Sequence, residues 1–286
     1  MTENTLLNDL KTQIAEKKAI IFVGTGVSIS ATNNNPVAGW QGLLKHGASR
    51  CEQLHQNLPS GWKDRVLGDI TSSDMQDLLS AAEKIETKLK DLGEYDRWLK
   101  ETVGQLKVLD PSIISAIKEL ESPIITTNYD NLLEQVIGER EITWQDKNKV
   151  ASFFQEKEKG IFHLHGHWDH SESVILGIKA YQNIINDDMT QLFMRALQLG
   201  KSLVFIGFGA GLEDPNFESF LKHGRTTLFK AEHRHFRLVK SDQVANARSQ
   251  HPTGSKVYVL SYGDSYSDLA PFLQGLKPNS NPTLAH

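Results

Sequence analysis

Short apolar strands that alternate with helical segments are the feature that most constrains how this chain folds. Three runs, Ala19–Val23, Pro123–Thr127 and Ser202–Ile206, are nearly continuous in apolar or β-branched residues and have the length of a strand. Strands that are apolar on both faces are typical of a parallel sheet that is covered by helices on each side. The order of elements therefore predicts an α/β fold, a Rossmann-like doubly wound parallel sheet.

Further elements follow from the same patterns. Shorter apolar runs predict strands at Ile161–His165, Ser173–Leu176, Phe236–Val239 and Lys256–Leu260. Helical periodicity predicts helices over residues 4–17, 40–51, 74–92, 95–106, 130–138, 187–199 and 266–276.

The segment 52–108 differs from the rest of the chain because it is rich in Lys, Glu, Asp and Leu and poor in β-branched pairs. We interpret it as a helical insertion or cap on the sheet. The expected organisation is an amphipathic helix over residues 1–17, one domain over 18–276 and a loose polar tail over 277–286.

Composition disfavours several classes of protein. With 31 Lys+Arg against 35 Asp+Glu, the net charge of −4 gives no reason to expect nucleic acid or an anionic membrane as a partner. The aliphatic runs are far shorter than the ~20 residues of a membrane span, so we expect a soluble cytoplasmic protein. The single cysteine, Cys51, excludes an internal disulfide and a multi-cysteine zinc site, and fits a reducing compartment.

A glycine turn, Gly24-Thr-Gly-Val-Ser28, follows the first strand. Backbone N–H groups at such a turn can face a phosphate. The third glycine of the dinucleotide fingerprint is replaced by Ile29, and Gly42 and Gly47 lack the Lys-Ser/Thr of a P-loop. A tight turn that binds no ligand stays open as an alternative.

A second glycine turn, 207–211, follows the strand Ser202–Ile206 and leads to Asp214-Pro215, a pair typical of a helix start. Both turns are expected at the carboxyl edge of the sheet, where open α/β sheets bind ligands. Together they favour a nucleotide site.

Two more strand ends carry polar side chains: Asn128-Tyr129-Asp130 and His165-Gly166. An asparagine can hold a water or a ribose hydroxyl without charge, and a histidine exchanges protons near neutral pH. The combination suits chemistry at a ribose carbon. The alternatives are that Asn128 is a turn residue, Asp130 a helix N-cap and His165 a core histidine.

A histidine cluster also raises the possibility of a metal site. His163 and His165 lie at alternate positions of the predicted strand, and His167 and His170 follow it. No carboxylate or cysteine pairs with them at a recognisable spacing, so we expect no metal.

The motifs, taken in order, resemble those of the SIR2-like domain family over residues 18–275. They are 24–28 (GTGVS), 126–130 (TTNYD), 165–166 (HG), 206–209 (IGFG) and 214–216 (DPN). The chain is similar to the NAD-degrading SIR2-like proteins of bacterial antiphage defence and to their filament-forming animal relatives, including in the late segment 236–264.

The resemblance implies a role for each matching residue. Asn128 is implied to position water or the ribose, and His165 to be the catalytic histidine. Gly24, Thr25, Gly26 and Ser28 match the pyrophosphate and nicotinamide-ribose loop, and Gly207, Phe208 and Gly209 match the adenosine-side loop. The remaining implied NAD-binding residues are Thr127, Asp130 and Asp214 within these motifs, and Tyr262 and Gly263 near the adenine.

Departures from the deacylating sirtuins narrow the implied activity. Those enzymes carry a four-cysteine zinc ribbon, which a chain with one cysteine cannot build. Their Pro-Asp-Phe-Arg element is missing, and Asn33-Asn-Asn-Pro36 stands nearby. The helical segment 52–108 lies where their small module would be inserted, and a helical cap favours sealing NAD into a cleft over admitting an acyl-lysine peptide.

We therefore expect an NAD+ glycohydrolase that releases nicotinamide and ADP-ribose, is regulated by assembly and serves immune or antiphage defence. The expected partners are NAD as substrate, further copies of the chain in a homo-oligomer or filament, and a regulatory protein. The alternatives are a non-catalytic sensor or assembly module that binds NAD or ADP-ribose and, less favoured, an NAD-dependent protein deacylase.

Overall fold

Seven parallel strands form one sheet in a computed structural model that describes residues 2–55, 57–209, 234–251 and 256–277. The strands are β1 (Ala19–Val23), β2 (Ile124–Thr126), β3 (Glu141–Thr143), β4 (Ile161–His163), β5 (Ser202–Ile206), β6 (His235–Val239) and β7 (Val257–Ser261). Their order across the sheet is β3-β4-β2-β1-β5-β6-β7. The predicted Rossmann-like α/β fold is confirmed.

The central strand β1 shows why its sequence is apolar throughout. Ile21 and Val23 belong to a large apolar cluster on one face of the sheet, whereas Ile20 and Phe22 belong to a second cluster on the other face. Successive side chains of a strand point to opposite faces, so covering both faces with helices requires every position to be apolar.

Helices cover both faces and connect the strands. Among the described residues they are α1 (Glu3–Ala15), α2 (Thr25–Ala31), α3 (Trp40–Leu54), α4 (Trp62–Thr71), α5 (Met75–Asp91), α6 (Tyr95–Glu101), α7 (Ser112–Lys118), α8 (Leu132–Ile137), α9 (Lys147–Phe154), α10 (Ile178–Ile185), α11 (Asp188–Gly200), α12 (Val244–Gln250) and α13 (Leu269–Gln274). None of these helices combines the length and the apolar character that crossing a membrane requires.

The helices α4, α5 and α6 lie within the segment 52–108, and α3 packs against both α4 and α5. Their contact is close because Gly47 of α3 lies beside Ile85 and the ring of Trp98, where a Cβ atom would come within 3.0 Å of both. Trp98 is buried, and its indole N–H donates to Nδ1 of His46 at 3.1 Å. This packing fixes α3 and α5 above the carboxyl edge of the sheet.

Three local expectations differ from the structure. The predicted strand Ser173–Leu176 is wrong. In this segment the carbonyl of Ile175 accepts from Oη of Tyr129, and the N–H of Ile175 donates to the carbonyl of His165, so neither group bonds to a neighbouring strand. The edge strand β3 was not predicted because three residues are too few for a pattern. The first glycine turn is shorter than expected, since α2 begins at Thr25. Of the predicted tail, residues 278–286 lie outside the described residues.

Candidate functional site

A cavity of about 530 Å³ lies at the carboxyl edge of the sheet. That volume is within the ~300–1,000 Å³ usual for small-molecule sites. Its lower wall is made by the residues that follow β1, β2, β4 and β5, and its upper wall by the start of α3 with parts of α5. The lower wall comprises Gly24, Thr25, Thr127, Asn128, Tyr129, Asp130, His165, Gly207, Phe208 and Gly209.

Sheet register explains why Asn128 and His165 meet at this cavity. β2 and β4 are parallel neighbours in which Thr126 is paired with His163. Asn128 and His165 each follow their paired residue by two positions, so both come off the sheet at the same level. Both side chains are buried, and both line the cavity.

The side-chain amide of Asn128 has a defined orientation. Its Nδ2 donates to the carbonyl of Gly24 at 3.2 Å and to Oγ of Ser28 at 2.8 Å. Because a carbonyl can only accept, this contact requires the nitrogen on that side of the amide. Oδ1 is buried and has no hydrogen-bond partner among the described residues. Asn128, which lines the cavity, therefore carries a buried acceptor with no partner among the described residues.

Asp130 is linked to the amide of Asn128 through the hydroxyl of Ser28. Ser28 Oγ donates to Oδ2 of Asp130 at 2.8 Å, so one hydroxyl links the amide to the carboxyl group. Oδ1 of Asp130 accepts the N–H of Leu132, the first residue of α8, but the N-cap of that helix is Asn131, so the alternative that Asp130 is the N-cap is wrong. Burial raises the pKa of Asp130, although these two hydrogen bonds act in the opposite direction. The geometry thus gives Asp130 one contact that supports Ser28 and a second contact to the first residue of α8.

His165 lies against an aromatic wall. Its ring packs edge-on against Tyr181 of α10, with 5.5 Å between the ring centroids. The start of α10 is tied to α5, because the N–H of Gly177 donates to Oε2 of the buried Glu86 at 3.1 Å. The helical segment and the sheet edge therefore position the wall around His165 together.

The two glycine turns pack against each other. The N–H of Gly24 donates to the carbonyl of Ile206, and the N–H of Gly26 to the carbonyl of Gly207, both at 2.9 Å. A Cβ atom on Gly26 would lie 2.8 Å from that second carbonyl oxygen. Gly207 also has a φ of +74°, a backbone conformation that favours glycine. These glycines allow the turns to touch, whereas the sequence reasoning had assigned the need for glycine to a phosphate.

Not every predicted residue reaches the cavity. Gly26 and Ser28 lie one layer behind it, in contact with lining residues. Tyr262 and Gly263 follow β7, where the N–H of Tyr262 donates to the carbonyl of Val239, and neither lines the cavity. Asp214 lies outside the described residues. The roles implied for these residues stay predictions.

Sequence reasoning missed the upper wall. Trp40 and Lys45 of α3, Met75 and Leu78 of α5, and Tyr181 line the cavity. Lys45 is the cationic side chain among the described lining residues, and the rings of Trp40 and Tyr181 lie 6.5 Å apart. The only signal in the sequence was an aromatic and a basic residue near the start of α3, which also fits ordinary packing or solvent exposure.

The histidine cluster does not form a metal centre in the part of the chain that the structure describes. No group of three or more His, Cys, Asp or Glu side chains there is arranged to hold an ion. The Nδ1 atom of His167 accepts the N–H of Asp169, and burial lowers the pKa of His167 to about 2.

Comparison with known proteins identifies related sequences. Residues 122–258 match the SIR2-like domain. NAD(+) hydrolase ThsA of Bacillus cereus (strain MSX-D12) is 28% identical over 125 residues, which are 41% of this chain and 25% of that protein. The aligned part thus spans about a quarter of the relative's length.

The matched range contains Asn128, His165 and residues 207–209 of the second glycine turn, and these residues meet at the cavity. The first glycine turn precedes it. The resemblance to the SIR2-like domain family that the motifs indicate is confirmed.

Proposed function

We propose that this chain is an NAD+ glycohydrolase, which cleaves the bond between nicotinamide and ribose C1′ to give nicotinamide and ADP-ribose. The observation that carries the proposal is the shared cavity of Asn128 and His165, with Oδ1 of Asn128 left without a partner among the described residues. The SIR2-like domain and the similarity to a protein named NAD(+) hydrolase support NAD as the substrate.

The proposed reaction needs orientation more than a strong nucleophile. When the C1′–N bond breaks, its electron pair moves to the nicotinamide ring nitrogen and neutralises the pyridinium charge. The ribose develops positive charge as in other glycosyl transfers through an oxocarbenium-like state. Water then adds to C1′ and gives up one proton, so that NAD+ and water yield nicotinamide, ADP-ribose and a proton.

Asn128 and His165 take complementary roles in this scheme. Oδ1 of Asn128 accepts a hydrogen bond from the attacking water or from a ribose hydroxyl, and this contact fixes the approach to C1′. His165 accepts the proton that the water or hydroxyl loses. Their common depth at the carboxyl edge of β2 and β4 supports a shared role at one part of the cavity.

The upper wall suits the remaining parts of a dinucleotide. Trp40 and Tyr181 offer ring surfaces for a base or for the nicotinamide, and Lys45 offers a positive charge for the pyrophosphate. Since the N–H groups of Gly24 and Gly26 already donate to the second turn, the proposal assigns the phosphate charge to Lys45 rather than to those groups.

The test measures nicotinamide release from NAD by the purified protein in the absence of any acylated peptide. We expect Asn128→Ala and His165→Ala each to lower turnover by about 100-fold or more, the range for losing a positioned acid–base or orienting group. His170→Ala is the matched control, because that side chain is 45% exposed and does not line the cavity.

Two outcomes would contradict the proposal. If His165→Ala turned over NAD as fast as the wild type, His165 would have no catalytic role. Tight NAD binding by calorimetry without nicotinamide release, at every protein concentration tested, would favour a non-catalytic sensor or assembly module.

Regulation by assembly and a role in antiphage defence belong to the same proposal and rest on the resemblance. Light scattering with and without NAD, run beside the nicotinamide assay, tests the first of these. We expect specific activity to rise with the fraction of assembled protein, and activity that is independent of assembly would contradict this expectation.

A further inference from the structure

His163 is a fully buried residue beneath the catalytic candidate Asn128. It ends β4, and its side chain has no exposed surface. Its Nδ1 lies 2.8 Å from the backbone carbonyl oxygen of Asn128, and its Nε2 lies 2.7 Å from Oε1 of Glu134. His163 does not line the cavity, so its contacts are made behind the site.

Both contacts require a proton on the histidine ring. The carbonyl of Asn128 can only accept, and the carboxylate of Glu134 also accepts. With Glu134 ionised, a ring that donates from both nitrogens is an imidazolium, and this geometry fits a buried ion pair of His163 with Glu134. The side chain of Glu134 is 12% exposed, so water reaches this pair poorly.

The surrounding charges agree with a protonated ring. Burial alone would lower the pKa of His163, but the Glu134 carboxylate, its hydrogen bond, the Asn128 carbonyl and Asp130 outweigh burial and raise it. The neighbouring ring of His167, with its centroid 4.9 Å away, is neutral because its pKa is lowered. Glu134 and Asp130 come from α8 and the turn before it, and His167 from the chain after β4.

We propose that His163, held by Glu134, is a positioning residue for Asn128. This inference rests on the proposed function, in which Oδ1 of Asn128 orients the reacting group. His163 fixes the carbonyl of Asn128, and Oγ1 of Thr126 accepts the N–H of Asn128 at 3.0 Å. With its backbone held on both sides, Asn128 directs its amide nitrogen to Gly24 and Ser28, which leaves Oδ1 without a partner among the described residues.

Two substitutions of His163 separate its two contacts. The amide nitrogen of asparagine lies close to the position of Nδ1, so His163→Asn keeps a donor for the Asn128 carbonyl and loses Glu134. The longer side chain in His163→Gln places its nitrogen near Nε2, so it keeps Glu134 and loses the carbonyl of Asn128. A positioning role predicts opposite outcomes for the two variants.

We expect His163→Gln to lower kcat for nicotinamide release by about 10- to 100-fold, the size of effect that follows from misplacing a reacting group by about 1 Å. KM for NAD should stay within about twofold of the wild type, since the altered contact is with Asn128 and not with the binding walls. His163→Asn should recover most of the lost kcat. An equal loss of kcat in both variants would overturn the positioning role. His170→Gln is the control variant.

A second readout does not depend on catalysis. Nitrogen NMR of the histidine rings should show His163 as an imidazolium at pH 7.5 in the wild type and as a neutral ring in Glu134→Gln. The side-chain amide signals of Asn128 should move in His163→Gln and stay close to the wild type in His163→Asn. A neutral His163 in the wild type, or Asn128 signals that do not distinguish the variants, would overturn the inference.

The kinetic and NMR measurements together distinguish the proposed function from the positioning role of His163. If the wild type releases no nicotinamide, the proposed function fails, and the NMR measurements still decide whether His163 holds Asn128. If the wild type is active but kcat falls equally in His163→Gln and His163→Asn, the positioning role fails and the proposed function stands.

Discussion

Replacing Ser28 with alanine tests the buried network behind the cavity most directly. The hydroxyl of Ser28 accepts from Nδ2 of Asn128 and donates to Oδ2 of Asp130, both at 2.8 Å. Ser28→Ala removes both hydrogen bonds at once and leaves two buried polar atoms with fewer partners. The backbone tolerates this change, because α2 is helical at this position and alanine is a good helix former.

The expected loss of stability follows from those two groups. A buried donor or acceptor that loses its partner costs about 1–3 kcal/mol, so the two losses together lower the free energy of unfolding by about 2–6 kcal/mol. This is a large fraction of the ~5–15 kcal/mol that holds an ordinary domain together. The measurement is a denaturant titration of the wild type and the variant, with Ser249→Ala on the exposed surface of α12 as the control.

The loss should depend on pH in a defined direction. Burial raises the pKa of Asp130 in the folded protein above its ordinary value near 3.8. The folded state therefore binds this proton more readily than the unfolded state, and the stability linked to Asp130 falls as pH rises through the folded pKa. Removing the Ser28 hydroxyl, which favours the ionised carboxyl group, raises that pKa further.

The difference in unfolding free energy between the wild type and Ser28→Ala should thus be larger at pH 8 than at pH 4.5. A difference below about 0.5 kcal/mol, the scatter of ordinary surface substitutions, would refute the inference that this hydroxyl links two buried groups. A difference that is the same at both pH values would refute the part assigned to Asp130.

Further substitutions test the upper wall of the cavity and the packing of the glycine turns. Lys45→Met should raise KM for NAD about 3- to 10-fold with little change in kcat. The reason is that Lys45 is proposed to bind the pyrophosphate equally well in the ground state and in the transition state. Steady-state kinetics measures both constants, and Lys11→Met is the control. Gly26→Ala should lower the free energy of unfolding by about 1–3 kcal/mol through overpacking, because its Cβ atom would lie 2.8 Å from the carbonyl oxygen of Gly207. Gly209→Ala, where an added Cβ meets no described atom within 4 Å, should cost less in the same denaturant titration, and equal losses would contradict the packing of the turns.

The sheet could be predicted from sequence, and so could the meeting of Asn128 and His165 at one cavity, because both follow from local rules. A strand buried on both faces, such as β1, reads as an uninterrupted apolar run. Residues just beyond parallel strands meet at one edge whatever the connecting segments do. These two rules need no knowledge of how the helices pack.

The rest of the cavity depends on packing that no short pattern encodes. Trp40, Lys45 and Tyr181 come from α3 and α10, and their approach to the sheet edge is set by contacts such as that of Gly47 with Trp98. The short edge strand β3 owes its conformation to pairing with β4 rather than to its own residues. The reason for the glycines was also hidden, because Gly26 and Gly207 lie far apart in sequence.

The support around Asn128 is more extensive than a turn residue requires. Its backbone N–H, its carbonyl and both protons of its amide are engaged, by Thr126, His163, Gly24 and Ser28. A neutral amide has only a dipole to offer a reacting group, so its effect depends on direction far more than that of a charged carboxylate would. Fixing three sides of the residue while leaving Oδ1 without a described partner is the arrangement that makes a weak acceptor useful. Loosening any one of these contacts should therefore act on kcat before it acts on NAD binding.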